Sequence, residues 1–137
     1  MSGAISISVS GLKETVEALR RISANAPAAI GNAMYGWAEY VVMPQARDEC
    51  PHVTGYLRRS GSPQGGGGVQ DPVVSADNIS VTFGFTADYA IYVHENLEAN
   101  HPSGKAKFLE DPAMQHAEEL HDVCAKAVNE TVEAEAA

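Results

Sequence analysis

The sequence predicts a single α+β domain over residues 1–137, in which a small antiparallel sheet, formed by the N-terminal strand and a central hairpin, is packed by a long central helix and a C-terminal helix. Three observations predict it. Ile5, Ile7 and Val9 alternate with Ser6, Ser8 and Ser10; Ile79, Val81, Phe83 and Phe85 repeat the same two-residue period; and three other stretches space their apolar residues three or four apart.

The N-terminal alternation is that of a strand with one buried face. Ser10, a residue type that caps helices, precedes "GLKETVEALRRIS", where Leu12, Val16, Leu19 and Ile22 form an apolar stripe opposite Lys13, Glu14, Glu17, Arg20 and Arg21. Pro27 suits the first turn of the next helix, whose stripe runs Ile30, Met34, Trp37, Val41. Gly31, Gly36 and several alanines in it allow a neighbouring backbone close. Pro44 removes one internal hydrogen bond, so Pro27 to Glu49 reads as one helix with a bend. Thr54 can cap a short helical turn carrying Tyr56, Leu57, Arg58 and Arg59. Residues 60–72, with the run Gly65, Gly66, Gly67 and Gly68, have the composition of a flexible loop, and 96–107 reads as a second one. Val73–Ser75 and Ile79–Phe85 read as two strands across an "ADN" turn, pairing with the N-terminal strand. The last helix is expected from Asp111 as cap and Pro112 at its first position, with Met114, Ala117, Leu120, Cys124 and Val128 lining one face and acidic residues the other.

A net charge of -9 and a pI near 4.8 oppose binding to nucleic-acid phosphates over most of the surface. Cys50 and Cys124 are too few for a disulfide scaffold and form no zinc-type pair, so two buried thiols made in a reducing compartment are expected. No signal-like start and no apolar run of about 20 residues is present, which predicts a soluble chain without a membrane span.

Between Asp88 and Met114, "DYAIYVHENLEANHPSGKAKFLEDPAM" poses the functional question. His94, Glu95, Glu98 and His101 suggest a small metal-dependent hydrolase. Zinc hydrolases, however, place two histidines one helical turn apart with a glutamate after the first. Here Glu98 stands at the second histidine's place, and His101 lies just before Pro102. His116 and His121 are five apart, face different ways on a helix and read as solvated. Neither "GGGG" nor "SGKAK" meets the spacing of a phosphate-binding loop, and neither cysteine sits in a nucleophile turn. No catalytic residue, metal or cofactor is therefore expected. Arg58, Arg59, Lys105 and Lys107 concentrate positive charge in an acidic chain; they are either solvated residues or partners for the acidic last helix of a neighbouring copy. Tyr89, Tyr92 and Phe108 suit either the chain's own core or an interface, and for the tyrosines the core with hydroxyls outward is expected. Trp37 falls on the apolar stripe and belongs to the core.

The order of these features, covering Leu12 to Leu120, resembles the neck, or tail-completion, proteins that join head to tail in tailed bacteriophages. The family's Thr-Gly-x-Leu-Arg-x-Ser segment is matched by Thr54, Gly55, Leu57, Arg58 and Ser60, and its Tyr-Ala-x-Tyr-Val-Glu segment by Tyr89, Ala90, Tyr92 and Val93. Its closing pattern is matched by Phe108, Leu109 and Pro112, while His94 stands where the family has glutamate and "NLEANHPSGK" replaces its Gly-Thr turn. The resemblance implies a non-enzymatic virion subunit, made in the bacterial cytoplasm and placed at the head–tail interface. Six copies would form a ring, with twelve as the competing count, between adaptor or head-completion proteins and tail-terminator or tail-tube proteins. DNA would pass through without sequence-specific binding. A tail terminator capping the tube is the nearest alternative. On this reading Arg58, Arg59, Tyr89, Tyr92, His94, Glu95, Lys105, Lys107 and Phe108 are candidate ring contacts, and the glycine run is a docking loop.

Overall fold

The computed structural model describes residues 4–51, 71–87, 89–97 and 104–136. It has the predicted α+β architecture: a three-stranded antiparallel sheet covered by helices. Strand β1 (Ile5–Val9) pairs with β3 (Val81–Phe85) in the register Ile5↔Phe85, Ile7↔Phe83, Val9↔Val81, and β2 (Val73–Val74) pairs with the other side of β3. The alternation works as the period of two requires, since Val81, Phe83 and Phe85 are fully buried and Ser6 and Ser8 face solvent. At the hairpin turn, Ser75 Oγ accepts the amides of Ile79 and Ser80.

Helix α1 (Lys13–Ile22) begins later than a Ser10 cap would place it, with Leu12 at the cap position and no side-chain cap. Val16 is buried as expected, but Ile22 is 70% exposed. The helix ends at Ile22, and the inward place goes to buried Ser23, which leaves in extended conformation.

The central stretch is resolved as α2 (Ala26–Gly36) and α3 (Met43–Glu49) joined by a π-helical turn over Trp37–Val42. Within that turn the Met43 amide reaches back five residues to the Ala38 carbonyl. Pro44 follows at once, with no N–H to give to the Tyr40 carbonyl and a ring that would press on it in an α-helix. Widening the preceding turn by one residue relieves that conflict. The expected bend thus takes the form of a register shift. An uninterrupted α-helix would turn Val41 inward after Trp37; instead Val42 is fully buried and Val41 is only partly covered. Gly31 in α2 explains the small residues there, because a Cβ at that position would lie 2.1 Å from the Asn78 side chain of the hairpin turn. Tyr35 donates to Asp71 at 3.0 Å, fastening α2 to the lead-in of β2, and this hydrogen bond, followed by burial, pushes the phenol up to about 12.

After a short helix α4 (Ala90–Glu95), the C-terminal region forms two helices, α5 (Glu110–Gln115) and α6 (Ala117–Ala136), where one was expected. The chain breaks at His116, so Met114 leaves the apolar stripe and is 72% exposed, and Ala117 faces solvent. Leu120, Cys124 and Val128 keep the inward face, and α6 packs along α2. Asp111 does not cap: Leu109 holds the cap position, Pro112 is buried in the first turns, and the Asp111 carboxylate is taken by Lys105. Glu118, Glu119, Asp122, Glu130 and Glu133 are exposed, giving the acidic outer face. Both cysteines are buried free thiols, and burial raises the Cys124 thiol above its ordinary value. No helix among the described residues is long and apolar enough to cross a membrane.

The shifted register is directly testable. Val42→Ala should cost about 2 kcal/mol in urea unfolding, the value of a fully buried valine side chain. Val41→Ala should cost about half of that or less, whereas an α-helical register would make it the more costly change.

Candidate docking surface

The stretch from Tyr89 to Met114 is built around an imidazole. In α4, Ala90 and His94 are one turn apart and share the buried face, and His94 is only 2% exposed. Its Nε2 accepts the Glu110 backbone N–H at 3.1 Å, which places the ring proton on Nδ1, 3.0 Å from the Glu95 carboxylate. Its carbonyl accepts the Lys107 N–H at 2.8 Å. Its ring meets Phe108 edge to face at 5.1 Å, and Phe108 meets Phe85 of β3 in the same way at 5.1 Å. The segment before α5 is thereby clamped to the sheet through His94 and Phe108.

Backbone geometry completes the clamp. Gly104 adopts φ +75 and lies so close to the end of α3 that a Cβ would be 2.5 Å from the Glu49 carbonyl and the Pro51 nitrogen. The next amide, Lys105 N–H, satisfies that Glu49 carbonyl at 2.8 Å. Gly104 and Lys105, which lack the spacing of a phosphate-binding loop, thus form a backbone crossing.

Several expected ring contacts change role. Phe108 is wholly buried and His94 nearly so, because the T-shaped stack with Phe85 places both inside the chain's own core. Lys107 pairs with Glu95 and stands 3.4 Å from Glu110, and Lys105 pairs with Asp111. Of the four basic residues that the sequence offered as solvated or as partners for a neighbouring acidic helix, Lys105 and Lys107 are therefore engaged within the chain. The hydrogen bonds that they donate to these carboxylates raise both lysines above their ordinary values. The tyrosines move the opposite way: Tyr92 is 67% and Tyr89 41% exposed, against the expectation that their rings join the core, because the inward positions of α4 go to Ala90 and His94. Leu97, which the sequence did not single out, and Met114, expected on the buried stripe of the last helix, are also strongly exposed. His116 is not simply solvated either, since its Nε2 bonds Gln45 at 2.6 Å and its carbonyl accepts the Trp37 indole at 2.8 Å. His121 is exposed as expected.

Arg58, Arg59, Gly65, Gly66, Gly67 and Gly68 lie outside the described residues, as do the Thr54 turn and the Glu98 and His101 of the metal reading. Among the described residues no group of three metal-ligating side chains converges. In His94 one ring nitrogen accepts a backbone amide and the other carries the proton toward Glu95, leaving no lone pair for a metal. Comparison with protein-family models, with curated proteins and with solved structures finds no match to the chain.

Removing the imidazole orphans the Glu110 amide and opens a cavity beside Phe108, so His94→Ala should lower unfolding free energy by about 3 kcal/mol in urea titration. The outer pair predicts a pH effect with a definite sign. Hydrogen bonds from Lys107 and then His94 hold the Glu95 carboxyl below its ordinary 4.5. A depressed carboxyl contributes its full stabilisation above 4.5 and loses it as pH falls through the folded-state value. Thermal unfolding between pH 5 and about 3 should therefore fall less steeply for Glu95→Gln than for the native chain.

Proposed function

We infer that this chain is a structural, ring-forming subunit at the head–tail junction of a tailed bacteriophage, one that joins the DNA-filled head to the tail. The observation that carries the reading is the division of labour between residues 89 and 114. Among the described residues, His94, Glu95, Lys105, Lys107 and Asp111 are engaged in contacts within the chain, while Tyr89, Tyr92, Leu97 and Met114 are presented outward. That is the construction of a rigid displayed surface, with outward aromatics of the type that anchor interfaces. The order of motifs from Leu12 to Leu120 supplies the kind of assembly. A net charge of -9 suits a subunit past which duplex DNA must slide, since a surface neutralising many phosphates would retain it.

Light scattering of the purified protein, alone and mixed with head and tail intermediates of the same particle, tests this. A ring-sized oligomer, or a monomer that becomes one on those intermediates, is expected; a monomer that ignores both contradicts it. In the same assay Tyr92→Glu should abolish joining while changing unfolding free energy by no more than about 0.5 kcal/mol, as for an exposed position.

A further inference from the structure

Among the described residues, the sheet ends in an open edge. In the order β1-β3-β2, strand β1 is paired on one side only, and no other strand among the described residues covers its far side. Natural edges are guarded by charges, proline or bulges. From Ala4 to Ser10, AISISVS has neither charge nor proline, and its five pairs with β3 run without a bulge. Ile5, Ile7 and Val9 are only half-buried, although the β3 residues opposite them are sealed. Beside that row runs a groove of about 540 Å³ between β1 and the α5–α6 junction, walled by Ile7, Val9, Trp37, Ala113, Met114 and Leu120. A smaller cavity sharing Val9, Ser10, Ala117 and Leu120 continues it.

We propose that this edge is a self-pairing surface: β1 of a second copy adds antiparallel to β1, joining two three-stranded sheets into one of six. The pattern of the strand argues for that occupant. Reversed about Ile7, it matches itself, with Ile5 opposite the partner's Val9, Ile7 opposite the partner's Ile7, and Ser6 opposite the partner's Ser8, so both faces stay in phase. The serine pairs would repeat a contact the chain already makes across its own sheet, where the Ser8 and Thr82 hydroxyls are 2.6 Å apart. The apolar row of each copy would enter the groove of the other. Electrostatics select the place rather than the partner: two chains of charge -9 repel over most of their surfaces, but this strip is uncharged, and Glu110, the one carboxylate among the described residues lining the groove, stands by Lys107. The contact is isologous and twofold. It does not rest on the head–tail reading; applied to a six-membered ring, it would stack two rings back to back and give twelve copies.

A charge exchange on the exposed serines tests it. In the pairing, Ser6→Lys/Ser8→Lys sets lysine against lysine, and Ser6→Glu/Ser8→Glu sets glutamate against glutamate. By light scattering each variant should show half the native mass, and their equimolar mixture should recover the native mass, with native circular dichroism throughout. Met114→Glu, at the exposed rim of the groove, should also halve the mass and serves if either serine variant fails to fold. Native protein at the single-chain mass, variants of unchanged mass, or a mixture that does not reassociate would each overturn the pairing. The first of these combined with ring formation on head intermediates would overturn it while leaving the assembly reading intact.

Discussion

Trp37 ties the layers of this protein together. A three-stranded sheet can seal only one face, so the chain depends on a helical cover held in one register. The Trp37 ring meets Phe83 of the central strand edge to face at 5.6 Å, and its indole N–H donates 2.8 Å to the His116 carbonyl, at the break between α5 and α6. Sheet, central helix and C-terminal pair thus meet at one side chain. The π-helical turn that starts at Trp37 lets Ala38 and Val42 follow it inward, and the break at His116 leaves a carbonyl for the indole to take. A straight helix on either side would lose one of these contacts.

From that frame the surface segment follows. The end of β3 carries Phe85; Phe108 stacks on Phe85, His94 on Phe108, and the amide of Glu110 closes on His94. Each step uses a buried apolar contact to position a polar one, in surroundings where an unmatched donor would be costly. The outer ion pairs add little stability at such exposure, but they fix which way Lys105 and Lys107 point. Exposed on this segment, among the described residues, are Tyr89, Tyr92, Leu97 and Met114.

The two-residue alternations in β1 and β3, the hairpin, the inward face of α1 as far as Leu19 and that of α6 from Leu120 were legible in the sequence, because periodicity reports burial directly. The register after Trp37 was not, since a π turn inserts a residue without changing composition; Pro44 was its one signal, and it indicated a disturbance without showing which residue would turn inward. The split at His116 was hidden for a similar reason, Met114 fitting the stripe of a continuous helix. His94 was recognised as unusual, but its partner is a backbone amide sixteen residues away, which no side-chain pattern reveals. Likewise Gly104 owes its place to the end of α3, a tertiary contact invisible in the local sequence.

Amide hydrogen exchange, comparing the free chain with the chain assembled on head and tail intermediates, tests the docking claim most directly. New protection is expected at residues 89–97 on assembly, with 104–113 equally protected in both states because the clamp is internal. Protection that leaves 89–97 unchanged, or that appears at 104–113 only on assembly, would contradict it.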